Sequence, residues 1–399
     1  MLGIAAVAFA PWKPQLGPIA FVALTYSVPR YSETFKGLLG THILDWAAWL
    51  AFAGWLVWTL RSRTRLVLTS PLVLLMIAFA IWVGISAAAA AWAGPPWAPL
   101  PEHHPVQFVH AALLLMVAAH VLSSREAGWQ FALAVCAAVT ANALLQGVSG
   151  IYLEGDIAAL SVIALSLAVL GARIAPNLPL RGLFVALGAA LLVIFGSAQN
   201  RAAGVALVCA LLAASWNMRH RWRWLAVGLP VVLVTVIVLL PAGYLHRFQA
   251  IWDPQANHPT AGLDRATVNE RLELWRAGHR MVCDQPWLGV GIGRYPQVVG
   301  VNMGPMHDKY VAHNSLVHLA AETGIPGAAL FVLLFAVAIV SLQRMLSAKV
   351  EDWRRADIIA VQVALVAYLA AGWFISRHDL VLAYILVGWA AALREFGRR

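Results

Sequence analysis

The chain has 399 residues, 61% of them hydrophobic and only 12% charged, with a mean hydropathy of +0.75. A soluble domain is roughly 45–50% apolar and about 25% charged, so this composition excludes an ordinary globular protein and requires lipid as the solvent for most of the surface. The net charge of +10 does not point to nucleic acid, because the basic residues sit in short loops between apolar runs and membrane topology explains them. In chain order, runs long enough for a spanning helix of ~20 residues (about 17–25) fall at Leu2–Val28 (interrupted at Pro11–Pro14), Ile43–Leu60, Pro71–Trp92 and Val106–Leu122. They continue at Trp129–Gly147, Asp156–Ala172, Leu183–Ala198, Ala202–Trp216, Trp224–Gly243, Gly327–Leu342, Ile358–Ser376 and Leu380–Leu393, which makes twelve. The eighteen Trp suit rings parked at membrane interfaces. The N-terminus lacks a basic leader region; Ala8-Phe9-Ala10 resembles a cleavage box, but Pro11 and Lys13 follow, and an uncleaved first span is expected.

Basic residues orient the spans. Arg61, Arg63, Arg65, Arg125, Arg173, Arg181, Arg219, Arg221, Arg223, Arg344, Lys349, Arg354, Arg355, Arg394, Arg398 and Arg399 fall in one alternate set of loops, and only Arg30, Lys36, Arg201 and Arg377 in the short loops of the other. The first set is therefore expected to be cytoplasmic, with the C-terminus. The fold class expected is all-α, a polytopic membrane protein of about twelve helices and one large outer loop. It divides into residues 1–243 (nine spans), 244–326 (the outer loop and short helices) and 327–399 (three spans and the tail). Thr267-x-x-Glu270 reads as a capping box, with Val268, Leu272, Trp275 and Val282 as the apolar face of an amphipathic loop helix. Pro286 and the glycines of Gly289–Gly293 end that helix. Cys136 and Cys209 fall in spans and Cys283 is alone in the loop, so no disulfide is expected outside the membrane.

Three groups of residues could carry chemistry. His313-Asn314-Ser315-Leu316 closes the outer loop, and His313 or Asn314 would cap a short helix on which Asn314, His318 and Glu322 make one polar stripe. Gly324 and Pro326 then break the helix before the span proper. The stripe reads either as a cap with an interfacial polar face or as a site in which imidazole accepts a proton at neutral pH. Arg201 lies in a very tight external connection, where it is either a snorkelling side chain or a charge held at the lip of the bundle for function. Arg265 and Arg271 flank the start of the loop helix, where N–H groups and the dipole favour anions, and guanidinium binds phosphate bidentately. Arg276 and Arg280 pair with Glu273 on a solvated face or add to the same cluster.

Other chemistries lack their residues. There is no Walker loop, no H-E-x-x-H and no C-x-x-C, and Gly289-x-Gly291-x-Gly293 has no strand–helix unit around it. His103-His104 reads as surface loop. Glu154-Gly155-Asp156 offers an acidic pair of the kind that holds a divalent ion in some membrane glycosyltransferases, but a helix cap is the better reading. No histidine spacing supports zinc, so no metal and no cofactor is expected.

Tyr310-Val311-Ala312-His313-Asn314-Ser315-Leu316 through Glu322-Thr323-Gly324-Ile325-Pro326-Gly327 resembles the "AHN…L…E-x-G-x-x-G" pattern of the O-antigen ligase family. Arg271-Leu272-Glu273-Leu274-Trp275 with Pro286-Trp287-Leu288-Gly289-Val290-Gly291 resembles its "R-x-x-x-W…P-x-x-G-x-G". Arg201 with Ala202, Ala203 and Gly204 resembles its "S-R-G", with Asn200 in place of the serine and Ala202 in place of the glycine. The resemblance implies a GT-C-like enzyme of the bacterial inner membrane whose active site faces the periplasm. Its partners would be O-antigen linked to undecaprenyl pyrophosphate, the lipid A–core acceptor and membrane lipid. It implies metal-independent, inverting transfer, with His313 accepting the acceptor's proton and Arg201, Arg265 and Arg271 binding pyrophosphate; Asn314, Arg276, Arg280, His318 and Glu322 join them as substrate-binding candidates. An O-antigen polymerase and a protein O-oligosaccharyltransferase share the donor and differ in the acceptor. From another class, a lipid flippase or transporter would place its charges at the midplane rather than at the outer lip.

Overall fold

The computed structural model describes residues 13–27, 43–62, 67–93, 105–148, 155–198, 200–218, 261–303, 310–348 and 350–396, with isolated positions at 222, 226 and 230. Among the described residues there are helices and no strand. They are α1 (Leu16–Tyr26), α2 (Ile43–Ser62), α3 (Pro71–Ala93), α4 (Val106–Val121), α5 (Arg125–Val148), α6 (Gly155–Ile174) and α7 (Leu178–Ala198). After these come α8 (Arg201–Trp216), α9 (Ala261–Asp284), α10 (Tyr295–Met303), α11 (Ser315–Leu346), α12 (Asp352–Gly372) and α13 (Val381–Phe396). Six of them, α3, α5, α6, α7, α11 and α12, are long and apolar enough to cross a membrane, and α1, α4 and α8 are shorter apolar helices. Among the described residues the fold is therefore all-α, and its six spanning-length helices fit a multi-pass membrane protein. Of the twelve expected spans, the one at Trp224–Gly243 and residues 2–12 of the first lie outside the described residues.

Two helices start earlier than their apolar runs because a polar side chain caps them. α5 opens at Arg125 rather than Trp129 because the Ser124 hydroxyl accepts from the Ala127 N–H at 3.2 Å. α7 opens at Leu178 rather than Leu183 because Asn177 accepts from Leu180 N–H at 3.0 Å. α6 is the central helix, with 72% of its apolar window buried, whereas α7 beside it has 22% and shows most of its surface to lipid. Small residues set the close crossings: a Cβ on Gly388 of α13 would stand 2.4 Å from the Leu115 carbonyl of α4.

The two ends of the bundle differ in chemistry. At one end, arginines close exposed helix carbonyls: Arg125 Nε donates to Ile174 O at 2.8 Å, Arg181 Nε to Ala175 O at 3.0 Å and Arg355 Nη2 to Asn217 O at 3.4 Å. Asn217 donates to Gln362 Oε1 at 2.7 Å, and Gln362 to Gln343 Oε1 at 2.9 Å, which ties α8, α12 and α11 together there. These arginines belong to the set expected in the cytoplasmic loops. At the other end, Arg377 in the turn between α12 and α13 pairs with Asp156 in the first turn of α6. His313 lies at the start of α11, at this same end, because Ser315 bonds the same turn.

Candidate functional site

α9 is amphipathic and packs on α11; Trp275 and Val282 of its expected face do turn inward, but its start and part of that face differ from the expectation. It begins at Ala261, so Thr267 and Glu270 lie inside it and do not form its cap. The buried stripe is Leu274, Ala277 and Met281, which form a small core with Tyr295, Val299, Ala312 and Ala321. Leu272 is instead exposed. A helix at a membrane interface need not bury its most apolar side chains in protein, so hydrophobicity alone misplaces its inner face. Trp275 is the hinge of the arrangement. Its indole N–H donates to the Ala312 carbonyl at 2.8 Å, and Tyr295 Oη donates to the Leu274 carbonyl. Arg271 is one turn before Trp275 and shares its face. The "R-x-x-x-W" spacing thus pins the helix to the backbone beside His313 and turns Arg271 toward it.

α11 is one helix with a break. Gly324 has φ 72° and ψ 179° inside it, followed by Pro326, so the expected boundary between residues 326 and 327 falls just past a kink rather than at a helix start. A kink at membrane depth must satisfy the backbone groups it frees. Val290 N–H donates to Ala321 O at 2.9 Å, Gly291 N–H to Glu322 O at 2.9 Å, and Ile325 N–H to Pro286 O at 2.8 Å. From α3, Ser86 Oγ donates to Glu322 O at 2.9 Å and Trp82 Nε1 to Thr323 O at 2.9 Å. The two glycine patterns therefore make one object. A Cβ on Gly289 would stand 2.4 Å from the Glu322 carbonyl carbon, and one on Gly324 would stand 2.1 Å from Trp287 O; both glycines also have positive φ.

At the start of α11, Asn314 is the cap: its Oδ1 accepts from Leu316 and Val317 N–H at 3.0 Å each, and its Nδ2 donates to Trp373 O at 3.1 Å. Its side chain is buried and engaged at both ends by protein. Ser315 Oγ donates to Ile375 O at 2.7 Å and accepts from Arg377 N–H at 2.9 Å. His313 itself has φ 50°, the left-handed region that few non-glycine residues occupy. Burial, then the charge of Arg271, then that of His318, push its pKa down to about 4, which leaves a neutral imidazole at pH 7. Arg271 is pulled below its ordinary pKa by burial and then by the charge of Arg201. Arg201, the first residue of α8 behind an Asn200 cap, therefore shares one electrostatic neighbourhood with Arg271 and His313. Arg276 and Arg280 lie on the exposed face of α9, where Arg276 pairs with Glu273 at 3.6 Å. The side chain of Arg265 lies outside the described residues.

The polar stripe of α11 is internal, not interfacial: His318 and Glu322 are 4% and 1% exposed. Burial follows because α9, α10 and the α12–α13 turn cover that face. Glu322 Oε1 lies 3.1 Å from His318 Nε2 and accepts from Tyr295 N–H at 3.1 Å, and its Oε2 lies 3.7 Å from His378 Nε2. The ligand atoms of His318, Glu322 and His378 lie within 4.8 Å of one another, a donor set of the kind zinc takes. No sequence spacing pointed to this group, because its third member is distant in the chain. The same contacts also leave the three side chains mutually compensated, a carboxylate between two imidazoles. His378 is the functional candidate that sequence reading missed; its signal was Arg377-His378-Asp379, three polar residues between two apolar runs. Asp156 is committed to Arg377, and Glu154 and the pair His103-His104 lie outside the described residues.

A family model described as O-antigen ligase matches residues 183–332. The resemblance read from the motifs is borne out over that segment, which contains Arg201, α9, the glycine loop, His313 and the kink, and stops short of His378. Members of this family are glycosyltransferase-like enzymes of lipopolysaccharide biosynthesis, and the match supports a ligase- or polymerase-type activity on a lipid-linked polysaccharide. No curated protein matches the chain.

Proposed function

With residues 183–332 matched to the O-antigen ligase family as premise, we propose that this protein is a periplasm-facing O-antigen ligase of the bacterial inner membrane. It transfers polysaccharide from undecaprenyl pyrophosphate to a sugar hydroxyl of lipid A–core. The observation that carries the reading is the shared neighbourhood of Arg201, Arg271 and a neutral, half-buried His313. Two fixed cations beside a proton acceptor suit a reaction in which a diphosphate leaves as a hydroxyl attacks. His313 takes the proton of the acceptor hydroxyl. The hydroxyl oxygen forms the new bond to the anomeric carbon from the face opposite the leaving group, and the bond from that carbon to the phosphate oxygen breaks. Inversion follows. The negative charge developing on undecaprenyl pyrophosphate is met by Arg201 and Arg271, with Arg265 as a third candidate at the same helix.

The strained backbone at His313 fits this role, because Asn314, Trp275 and Ser315 over-determine its position from three sides. The site-bearing end of the bundle is then the periplasmic end, and the arginine-capped end the cytoplasmic one, as the charge alternation requires. The testing experiment incubates purified protein with lipid-linked polymer and core lipid A, beside a His313→Ala control. Polymer appearing on core lipid A supports the ligase. Polymer growing on the lipid carrier instead assigns the same machinery to a polymerase.

A further inference from the structure

A cleft opens on the side of the bundle between α6 and α8, with α12 as its floor, and encloses about 150 Å³. Leu165 and Val169 of α6, Leu207 and Leu211 of α8, and Ile359 and Val363 of α12 line it. Ala214, Ala356 and Ala360 stand where larger side chains would close the three helices together. Ser166 adds no free polar group, because its hydroxyl donates to the Val162 carbonyl of its own helix at 3.3 Å. Val169 is 58% exposed, so the cleft faces lipid.

Its place and its charge together define an occupant. The lining segments, 162–173 of α6, 207–214 of α8 and 356–363 of α12, all fall in the half of the bundle nearest the arginine-capped end. Along α6 the cleft runs ~16 Å at 1.5 Å per residue, close to the ~15 Å of hydrocarbon in one leaflet. It therefore stays within that leaflet and does not reach the His313 end. Arg173 at the mouth is the one charged residue that lines it. Arg173 is exposed and bonds to no other described residue, whereas Arg125, Arg181 and Arg355 at the same end each donate to helix carbonyls. A guanidinium held open above an apolar cleft is complementary to a phosphate whose acyl chain lies in that cleft. A zwitterionic head group brings its own cation beside the phosphate, so a head of net negative charge is favoured.

We propose that the α6–α8–α12 cleft binds one anionic phospholipid of the adjoining leaflet, with an acyl chain along α6 and the phosphate on Arg173. The lipid fills the wedge between α6 and α8, the helix whose first residue is Arg201. It stabilises the folded bundle by binding it and not the unfolded chain.

The test adds phosphatidylglycerol or phosphatidylcholine, with the same oleoyl chains, to the purified full chain in detergent. Bound lipid is read by native mass spectrometry and stability by the melting temperature. The expected result is roughly tenfold tighter binding of phosphatidylglycerol, the scale of hydrogen bonds to a charged group, and a higher melting temperature with it. Arg173→Ala should remove that preference and Arg173→Lys should restore part of it. Arg61→Ala, which removes another exposed cation from the same end, should leave it intact. Ser166→Phe fills the cleft and should weaken phosphatidylglycerol binding with Arg173 in place. Equal binding of the two lipids, an equal loss in Arg173→Ala and Arg61→Ala, or wild-type binding by Arg173→Ala or Ser166→Phe overturns the proposal. Should Ser166→Phe fail to fold, wild-type protein is photolabelled with a phosphatidylglycerol that carries a diazirine in one acyl chain. Label on residues 162–173 or 207–214 supports the cleft, and label elsewhere overturns it.

Discussion

The indole N–H of Trp275 on α9 donates to the carbonyl of Ala312, the residue before His313, at 2.8 Å. One bond therefore joins the helix that bears Arg271 to the backbone that bears the imidazole. Trp275→Phe keeps an aromatic ring, though a smaller one, and removes the donor. A neutral hydrogen bond is worth about 1 kcal/mol, so the expected outcome is a several-fold fall in transfer rate at near-normal expression, measured by in vitro ligation. A fall below a hundredth of wild type would mean that the indole does more than fasten the loop.

His313→Ala removes the proton acceptor and is expected to lower kcat by about 10²–10⁴-fold, the usual range for a general base. Since φ at 313 is 50°, His313→Asn is the sharper variant: Asn tolerates the left-handed region better than most residues and has no basic nitrogen. It should fold as wild type, by thermal melting in detergent, and be as inactive as the alanine variant. Wild-type transfer by either variant would remove His313 from the chemistry.

The acidic limb of the rate profile should be displaced. His313 is held near 4 by burial and by the charge of Arg271, so it stays neutral as pH falls through the ordinary histidine range. kcat/KM should decline only as pH approaches that value. Arg271→Ala removes a cation that disfavours the protonated ring, so the limb should move upward in pH, while Arg271→Lys keeps the charge and leaves the limb near its original place. A limb that does not respond to Arg271→Ala separates the two side chains.

Gly289→Ala and Gly324→Ala each press a methyl into backbone, at 2.4 and 2.1 Å, from a positive φ. Overpacking of this kind costs about 1–3 kcal/mol, and the left-handed strain adds to it. Both variants should lower the melting temperature and the yield of folded protein in membranes. An alanine at either position with unchanged stability would show that the kink and the glycine loop separate freely.

Transfer is expected to survive a chelator such as EDTA, because Glu322 is compensated by His318 and His378. Loss on chelation with rescue by zinc would assign an ion to His318, Glu322 and His378; rescue by magnesium would point to Glu154 and Asp156 instead.

The sequence by itself determined the fold class and the residues proposed for the site. Long apolar runs cannot be satisfied in water, so the described spanning helices were legible in the sequence, although α5 and α7 start earlier where Ser124 and Asn177 cap an extra turn, α12 starts at Asp352 and α11 already at Ser315. Arg201 was legible because charge alternation leaves few basic residues in the outer short loops, and Arg271 and His313 because they stand in the motifs that carry the family resemblance. Tertiary structure alone decided which face of α9 is inner, that Asn314 serves the backbone, and that His378 meets Glu322 across 56 residues of chain. It also decided that the two glycine patterns exist to feed hydrogen bonds into a kink in α11. The reason is the same in each case: periodicity reports how far a side chain avoids water, while partners brought together by packing far along the chain leave no local trace.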